Sequence, residues 1–161
     1  MIRRATCGLG LVVALHLAGT AAAEPAIRFT APRSDYLLGC GGCHGYDGVS
    51  NSSRVPTLKG LVGYYLNSGE GRAYLARLPN VAFSNLNDEE LAAVLNYMVF
   101  DLGAGSAPPD AKRYEPAEVG MWRKRPLTEV RLSAFRRQLV DTLIDRYHAP
   151  AALRDYGGGP Y

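Results

Sequence analysis

The sequence predicts an all-α protein. Two apolar patterns have helical spacing, one beginning at Leu91 and the other at Leu132, and no strand-like run flanks the cysteine motif that follows Gly39. At 161 residues the chain has the length of one domain, or of one small domain with an appendage. Its hydrophobic content of 47% is that of a folded protein, and its net charge of +3 is too small to indicate nucleic-acid binding.

The first 23 residues have the pattern of a secretory signal peptide. Two arginines precede an apolar stretch at residues 8–19, and alanines at 21–23 offer a cleavage site before Glu24. The apolar stretch is shorter than the roughly 20 residues that cross a bilayer, which favours cleavage over an uncleaved anchor. We therefore expect an exported, periplasmic protein.

The segment Cys40-Gly41-Gly42-Cys43-His44 is a C-x-x-C-H motif, the attachment signature of a c-type haem. Two thiols one helical turn apart reach the two vinyl groups on one edge of the porphyrin, and the next residue offers an imidazole to the iron. A disulfide is an alternative, as are a thioredoxin-like redox pair and a zinc site, but no βαβ pattern flanks the motif and zinc needs more ligands. The motif therefore predicts one covalent haem c on Cys40 and Cys43, with His44 as the proximal iron ligand.

Further motifs between residues 30 and 103 follow the cysteine motif in a recognisable order. They are Asp47-Gly48, a P-x-L-x-G turn at residues 56–60, and an L-N-D-E-E-L segment at 86–91 that leads to Tyr97. In this order they resemble the small class I cytochromes c. The resemblance implies an all-α fold that wraps one haem, with the first and last helices crossing, and one-electron transfer as the function.

The local pattern predicts helices at the positions that this resemblance requires. A short helix precedes the cysteines and starts near Ser34, and a middle helix covers residues 61–66 and ends at 67–69. Asn87 is a good N-cap for the last helix, and Glu90 completes a capping-box pair. That helix presents an apolar stripe before it stops at Gly103: Leu91, Val94, Leu95, Met98 and Leu102.

The loop before the last helix lacks the methionine that the resemblance implies as the sixth iron ligand. Residues 78–85 contain no methionine and no histidine. Three side chains from elsewhere in the chain are candidates: His148, Met121 and Met98. Each also has an ordinary structural interpretation: His148 as a surface residue at a helix end, Met121 as a clamp on the core and Met98 as part of a buried stripe. Two weaker oxygen donors lie in the loop itself: Asn80 and Asn85. We expect no protein ligand at the sixth position, or only a weak one.

Residues 107–161 are predicted to form a helical extension of a haem domain at 24–106. Two prolines after Ala107 mark the boundary, and the charge balance changes there, from 6 basic and 8 acidic side chains to 10 and 7. The extension is predicted to contain a helix at 115–124, a second helix at 128–148 capped by Thr128, and a glycine-rich tail at 157–160. One face of the second helix is apolar: Leu132, Phe135, Leu139, Leu143 and Tyr147.

A group of basic residues surrounds the start of that second helix. Its members are Arg123, Lys124, Arg125, Arg131, Arg136 and Arg137. Such a group is typical of the solvated face of an amphipathic helix, and it is also suited to docking an acidic redox partner. Membrane-surface binding is less favoured because acidic residues are interleaved.

These features together predict a periplasmic electron carrier rather than an enzyme, with no role in binding nucleic acid. Its partner is expected to be a periplasmic oxidoreductase such as a dehydrogenase or an oxidase. Three aromatic side chains are candidates for packing against the haem: Phe83, Tyr64 and Tyr97. A peroxidase-like or gas-binding haem protein is an alternative, for which Arg72 and Arg77 are the nearest polar candidates. An assembly subunit that works mainly through its extension is a third possibility.

Overall fold

The protein, in a computed structural model, is described over residues 31–128 and 131–156. Within these ranges all regular structure is helical and no strand occurs, so the predicted all-α class is confirmed. The predicted signal peptide at 1–23 and the glycine-rich tail at 157–160 lie outside the described residues. None of the described helices combines the length and the apolar character that crossing a membrane requires.

The first and last helices of the predicted haem domain pack against each other. Helix α1 (Ala31–Gly39) packs against α5 (Asp88–Asn96), which continues as a π-helical turn, Tyr97–Leu102. Tyr36 is fully buried at this contact, and its ring centroid lies 5.6 Å from that of Tyr97. The two helices that the resemblance brings together are therefore in contact.

The start of α5 is fixed by a capping box. The Asn87 side chain accepts a hydrogen bond from the Glu90 backbone N–H, and the Glu90 carboxylate accepts one from the Asn87 N–H, both at 2.9 Å. Two of the unpaired donors at the helix start are thereby satisfied, as the sequence predicted. The apolar stripe that follows is buried throughout.

The middle of the chain contains more helix than the sequence predicted. The predicted middle helix is a 3₁₀ helix, Val62–Asn67, and it does not end the regular structure. The Ser68 hydroxyl accepts a hydrogen bond from the Gly71 N–H at 3.0 Å and so caps helix α3 (Gly69–Arg77). A single turn, α4 (Pro79–Ala82), lies in the segment that was predicted to be a loop.

The predicted extension packs onto the helices that precede it and shares their hydrophobic core. Helix α6 (Pro116–Arg123) lies against α3 and α5, whereas α7 (Leu132–Tyr147) lies against the 3₁₀ helix and against a final 3₁₀ turn, Ala151–Arg154. Extension residues belong to the same buried cluster as the helices before it: Tyr114, Val119, Leu127, Leu139, Val140 and Leu143. The described part of the extension is thus integral to one core.

The predicted start of α7 is wrong. The helix begins at Leu132, with Arg131 at the N-cap position and no side-chain cap, so Thr128 does not cap it. Its C-terminus is closed by His148, which adopts the left-handed conformation with φ of 56°. The predicted apolar face does face the core, although Tyr147 at its end is exposed.

Arg72 joins α3 to the extension. Its guanidinium contacts both carboxylate oxygens of Glu118, at 2.5 and 2.7 Å, and donates to the carbonyls of Lys112 and Arg113. It also lies 4.2 Å from the centroid of the Tyr114 ring. The Arg72 side chain is therefore engaged by the extension, whereas the peroxidase-like alternative would need it beside an iron.

We expect Glu118→Gln to destabilise the protein at neutral pH and to flatten its acid dependence. Hydrogen bonds from Arg72 hold the pKa of the Glu118 carboxyl below its ordinary value. The pair therefore contributes stability above the unfolded-state pKa, and this contribution is lost as the pH falls through the folded pKa. Removing the charge from this half-buried pair should cost about 1–3 kcal/mol at pH 7, measured by urea unfolding.

Glu115→Gln is the matched control. Glu115 is exposed and occupies the N-cap position of the same helix, but its side chain makes no capping hydrogen bond. Equal losses for both variants at pH 7, or an unchanged acid dependence for Glu118→Gln, would contradict the assignment.

Candidate haem-binding site

Cys40, Cys43 and His44 lie on one short helical turn. In helix α2 (Gly41–His44), the N–H groups of Cys43 and His44 both donate to the Cys40 carbonyl, at 3.1 and 3.0 Å. The two cysteines are not bonded to each other; Cys43 is exposed and Cys40 is half-buried. Burial raises the pKa of the Cys40 thiol, which therefore stays protonated at neutral pH. The turn presents two free thiols and an imidazole side by side.

The described residues do not support the alternative of a zinc site. They contain no group of three or more histidine, cysteine, aspartate or glutamate side chains placed to hold a metal ion. Structural zinc takes four such ligands.

These three residues line a cavity of about 520 Å³. Its volume lies within the range of about 300–1,000 Å³ that is typical of cofactor sites. Most of its wall is apolar, and the 3₁₀ helix, α3 and α5 with the loop residue Leu61 contribute these apolar members: Leu61, Val62, Leu75, Leu91, Val94 and Leu95. Such a wall excludes water from a large, flat, apolar ligand.

The His44 ring is oriented by a backbone carbonyl. Its Nδ1 lies 3.0 Å from the Pro56 oxygen, and because a carbonyl only accepts, Nδ1 carries the proton. Burial lowers the pKa of His44, so the imidazole is neutral and Nε2 keeps a free lone pair. This is the arrangement in which an outer hydrogen bond fixes the tautomer and orientation of a metal-ligating histidine.

The Asp47-Gly48 and P-x-L-x-G motifs are paired in space. The Gly48 carbonyl accepts from the N–H groups of Leu58 and Lys59, at 2.8 and 3.1 Å, and the Lys59 ammonium lies 3.0 Å from the Asp47 carboxylate. Gly45, with φ of 80°, reverses the chain after His44, and a Cβ there would lie 2.2 Å from the Val49 oxygen. The two motifs thus form the turn that places the Pro56 carbonyl against the imidazole.

Residues 78–86 form another part of the cavity wall, and helix α6 holds this segment in place. Arg123 donates to the carbonyls of Ala82, Ser84 and Leu86, at 3.0, 2.7 and 2.7 Å. Arg123 is therefore a structural clamp and belongs neither to a solvated face nor to a docking patch. These hydrogen bonds from the extension position the segment at the cavity.

The candidates for the sixth iron ligand occupy different places. His148 is exposed at the end of α7, and Met121 is 48% exposed on α6; neither lines the cavity. Met98 is buried and does line it, and so do Asn80 and Asn85. Among the described methionines, Met98 alone borders the cavity.

Of the three aromatic side chains that the sequence predicted to pack against a haem, one lines the cavity. Phe83 lies at the cavity and is 66% exposed, but Tyr64 and Tyr97 do not line it. Tyr65 and Tyr74 line it instead. Tyr97 instead pairs with Tyr36, where α1 meets the π-helical turn.

Arg77 was, with Arg72, a candidate polar group for the peroxidase-like alternative. It donates to the Arg125 carbonyl at 2.6 Å and does not line the cavity.

The extension also contributes to the cavity, which the sequence did not predict. Arg136, Leu153 and Asp155 lie in its wall. Arg136 was placed in the basic group, but it stands between Leu132 and Leu139 at helical spacing within the apolar face of α7. A cation inside an apolar stripe was the signal that could have identified it.

Two curated proteins are similar to this chain. Both are named cytochrome c-552 and both come from Thermus thermophilus, the second from a specified strain of that species. Each is 29% identical over 118 residues, covering 62% of this chain and 90% or 80% of the relative. The chain is similar to the class I cytochromes c. No protein-family model matches it, and no solved structure matches it significantly.

Proposed function

We propose that the protein is a monohaem c-type cytochrome that carries single electrons. The observation that carries this proposal is the hydrogen bond from His44 Nδ1 to the Pro56 carbonyl, because it leaves Nε2 as a neutral, oriented donor beside two free thiols. The apolar cavity around them and the similarity to cytochrome c-552 support the same conclusion. A haem bound there supplies a one-electron couple at its iron.

The residues present fit a covalently attached haem. The Cys40 and Cys43 thiols are each suited to add across a vinyl group, with sulfur bonding one carbon and the thiol hydrogen moving to the other, so that no oxidant is needed. His44 Nε2 is the proximal ligand in this proposal. The apolar wall excludes water, which with the ligands sets the potential of the couple.

We propose that electrons enter and leave at the open side of the cavity. Leu38, which is 88% exposed, and Phe83 both border the cavity, and Cys43 lies beside them at the surface. An exposed apolar rim of this kind suits brief contact with a redox protein such as a periplasmic dehydrogenase or oxidase. The exposed cations that remain in the basic group, Lys124 and Arg137 among them, would steer an acidic partner.

Export to the periplasm is part of this proposal. Its support is the signal-like pattern of residues 1–23 and the two cysteines that stay free for haem attachment. The mass of the purified protein tests it: a chain that begins at Glu24 and carries one haem is the expected result.

We propose further that no side chain of the 78–86 segment binds the iron strongly. The segment offers asparagine and serine oxygens to the cavity, which are poor ligands for haem iron compared with methionine sulfur or imidazole. We therefore expect the ferrous holoprotein to bind CO readily, as measured by absorption, and the ferric form to contain high-spin iron, as measured by EPR.

Met98→Leu is the matched variant for this test, since Met98 is the methionine that borders the cavity. It should leave both spectra unchanged. Low-spin iron that ignores CO in the wild type, but binds CO in Met98→Leu, would make Met98 the sixth ligand and leave the electron-carrier proposal intact. Rapid turnover of peroxide would favour a haem enzyme instead, and the absence of covalent haem would overturn the proposed function.

A further inference from the structure

Arg136 is a buried cation in the wall of the cavity. It lies on α7, is 7% exposed and lines the cavity beside the haem motif. One terminal nitrogen of its guanidinium donates to the Leu153 carbonyl at 2.8 Å, and the other lies 3.5 Å from the Arg154 carbonyl. The Tyr156 ring centroid lies 4.5 Å from the guanidinium carbon.

No carboxylate of the described residues neutralises this guanidinium. Asp141 pairs with Arg154 at 2.8 Å, and Asp155, although it borders the same cavity, makes no ion pair with Arg136. The Arg136 Nε is buried and has no hydrogen-bond partner. Burial of a cation costs free energy unless the cation is paired and its hydrogen-bond donors are satisfied. We therefore expect an anion beside Arg136 in the cavity.

The position of α7 against the cavity is fixed by stacked rings. Tyr74 lies between Tyr65 and Phe135, with centroid distances of 5.4 and 5.9 Å. Phe135 is adjacent to Arg136 on α7, while Tyr65 and Tyr74 line the cavity. The guanidinium is therefore held at the cavity by packing that does not depend on its own charge.

A haem carries two propionates on the edge opposite its vinyl groups. If Cys40 and Cys43 hold the vinyl edge, the propionates point across the cavity, away from the cysteines. We infer that Arg136 binds one haem propionate through its free Nε–H, so that the extension supplies an anion site to the haem. This inference rests on the proposed function, because it needs a haem in the cavity.

The surroundings of Arg136 keep that propionate ionised. A second cavity, which also borders Arg136, adds further charged side chains: Arg54, Arg137, Arg154 and Asp141. Six titratable side chains that precede the extension line the first cavity: Asp35, Cys40, Cys43, His44, Tyr65 and Tyr74. Burial raises the pKa of Tyr65 and Tyr74, and for Tyr65 this outweighs the opposite effect of Arg136, so both rings stay neutral. Cations outnumber carboxylates around the two cavities, even with Asp35 and Asp155 included.

The direct test is NMR on the wild-type ferrous CO complex with ¹⁵N-labelled arginine. We expect nuclear Overhauser contacts between the Arg136 Nε–H and the methylene protons of one propionate, and none from Arg137. Their absence from Arg136, in a protein that has covalent haem, would overturn the inference and leave the proposed function standing. A wild-type chain without covalent haem would instead overturn the proposed function.

The functional test compares Arg136→Gln with Arg137→Gln, its exposed neighbour on the same helix. Without Arg136 the propionate should titrate nearer neutrality, so the reduction potential of Arg136→Gln should shift down and fall as the pH rises from 5 to 8. The Arg137→Gln potential should shift less and stay independent of pH. Arg136→Lys keeps the positive charge but lacks the planar guanidinium, so its reduction potential should lie between those of the two glutamine variants.

Equal, pH-independent shifts in Arg136→Gln and Arg137→Gln would show that Arg136 only bonds its backbone carbonyls, and would overturn the inference. If Arg136→Gln does not fold, Arg136→Lys and the wild-type NMR contacts decide between the two outcomes.

Discussion

A His44→Gly variant is expected to lose most of its covalently attached haem. His44 Nε2 is the oriented donor of the site, held by the hydrogen bond from Nδ1 to the Pro56 carbonyl. Removal of an outer-shell partner alone typically costs about 10–100-fold in metal affinity, and the loss of the ligand itself should cost at least as much. The yield of haem-loaded protein, measured by absorption of the denatured chain, should fall by more than about tenfold.

Two further samples sharpen this test. Imidazole added during haem loading should restore part of the yield and shift the spectrum of the loaded protein, because it replaces the missing donor without repairing the chain. His148→Ala is the matched control, since His148 is exposed and does not border the cavity. A His148→Ala spectrum that differs from the wild type, or a His44→Gly spectrum that does not, would contradict the ligand assignment.

The second large effect is expected at Leu143 in the extension. Its side chain is fully buried in the core that α7 shares with the preceding helices. Truncation of a buried leucine to alanine leaves a cavity and typically costs about 2–5 kcal/mol. For a domain whose total stability is about 5–15 kcal/mol, Leu143→Ala should lower the urea midpoint strongly.

Gln138→Ala is the control on the same helix, because Gln138 is exposed and should change stability by less than about 0.5 kcal/mol. The folded fraction of Leu143→Ala should keep the wild-type reduction potential, since Leu143 does not line the haem cavity. A loss below about 1 kcal/mol would mean that the extension is separable from the core. Deletion of residues 107–161 would then leave a folded haem domain, as an assembly role for the extension requires.

The elements with strong local signals were predictable from the sequence. The capping box of Asn87 and Glu90 and the turn of Cys40 to His44 depend on short motifs, and the structure contains both. The contact between α1 and α5 was implied only by the family resemblance. Helix α3 was missed because residues 67–69 are typical of a turn, whereas Ser68 serves as a helix cap. Residues 67–69 are compatible with a turn and with the start of a helix, and the packing of the residues that follow determines which of the two forms.

The roles of the arginines were not predictable, because they depend on partners far away in the sequence. Arg72 donates to the Glu118 carboxylate across 46 residues, and Arg123 donates to the Ala82 carbonyl across 41 residues. Nothing in the local pattern separates such clamps from solvated basic residues. Arg136 differs from them, since its place within the apolar face of α7 was visible in the sequence.

The contribution of Arg136 and Leu153 to the cavity wall also fixes an order of events during synthesis. A chain is made from its N-terminus, so Cys40, Cys43 and His44 exist well before residues 132–156. Until those last residues arrive, the cavity lacks the wall that α7 and the final turn provide. Cys40 is therefore more accessible from that side before α7 packs than after it, whereas Cys43 stays exposed in the complete fold.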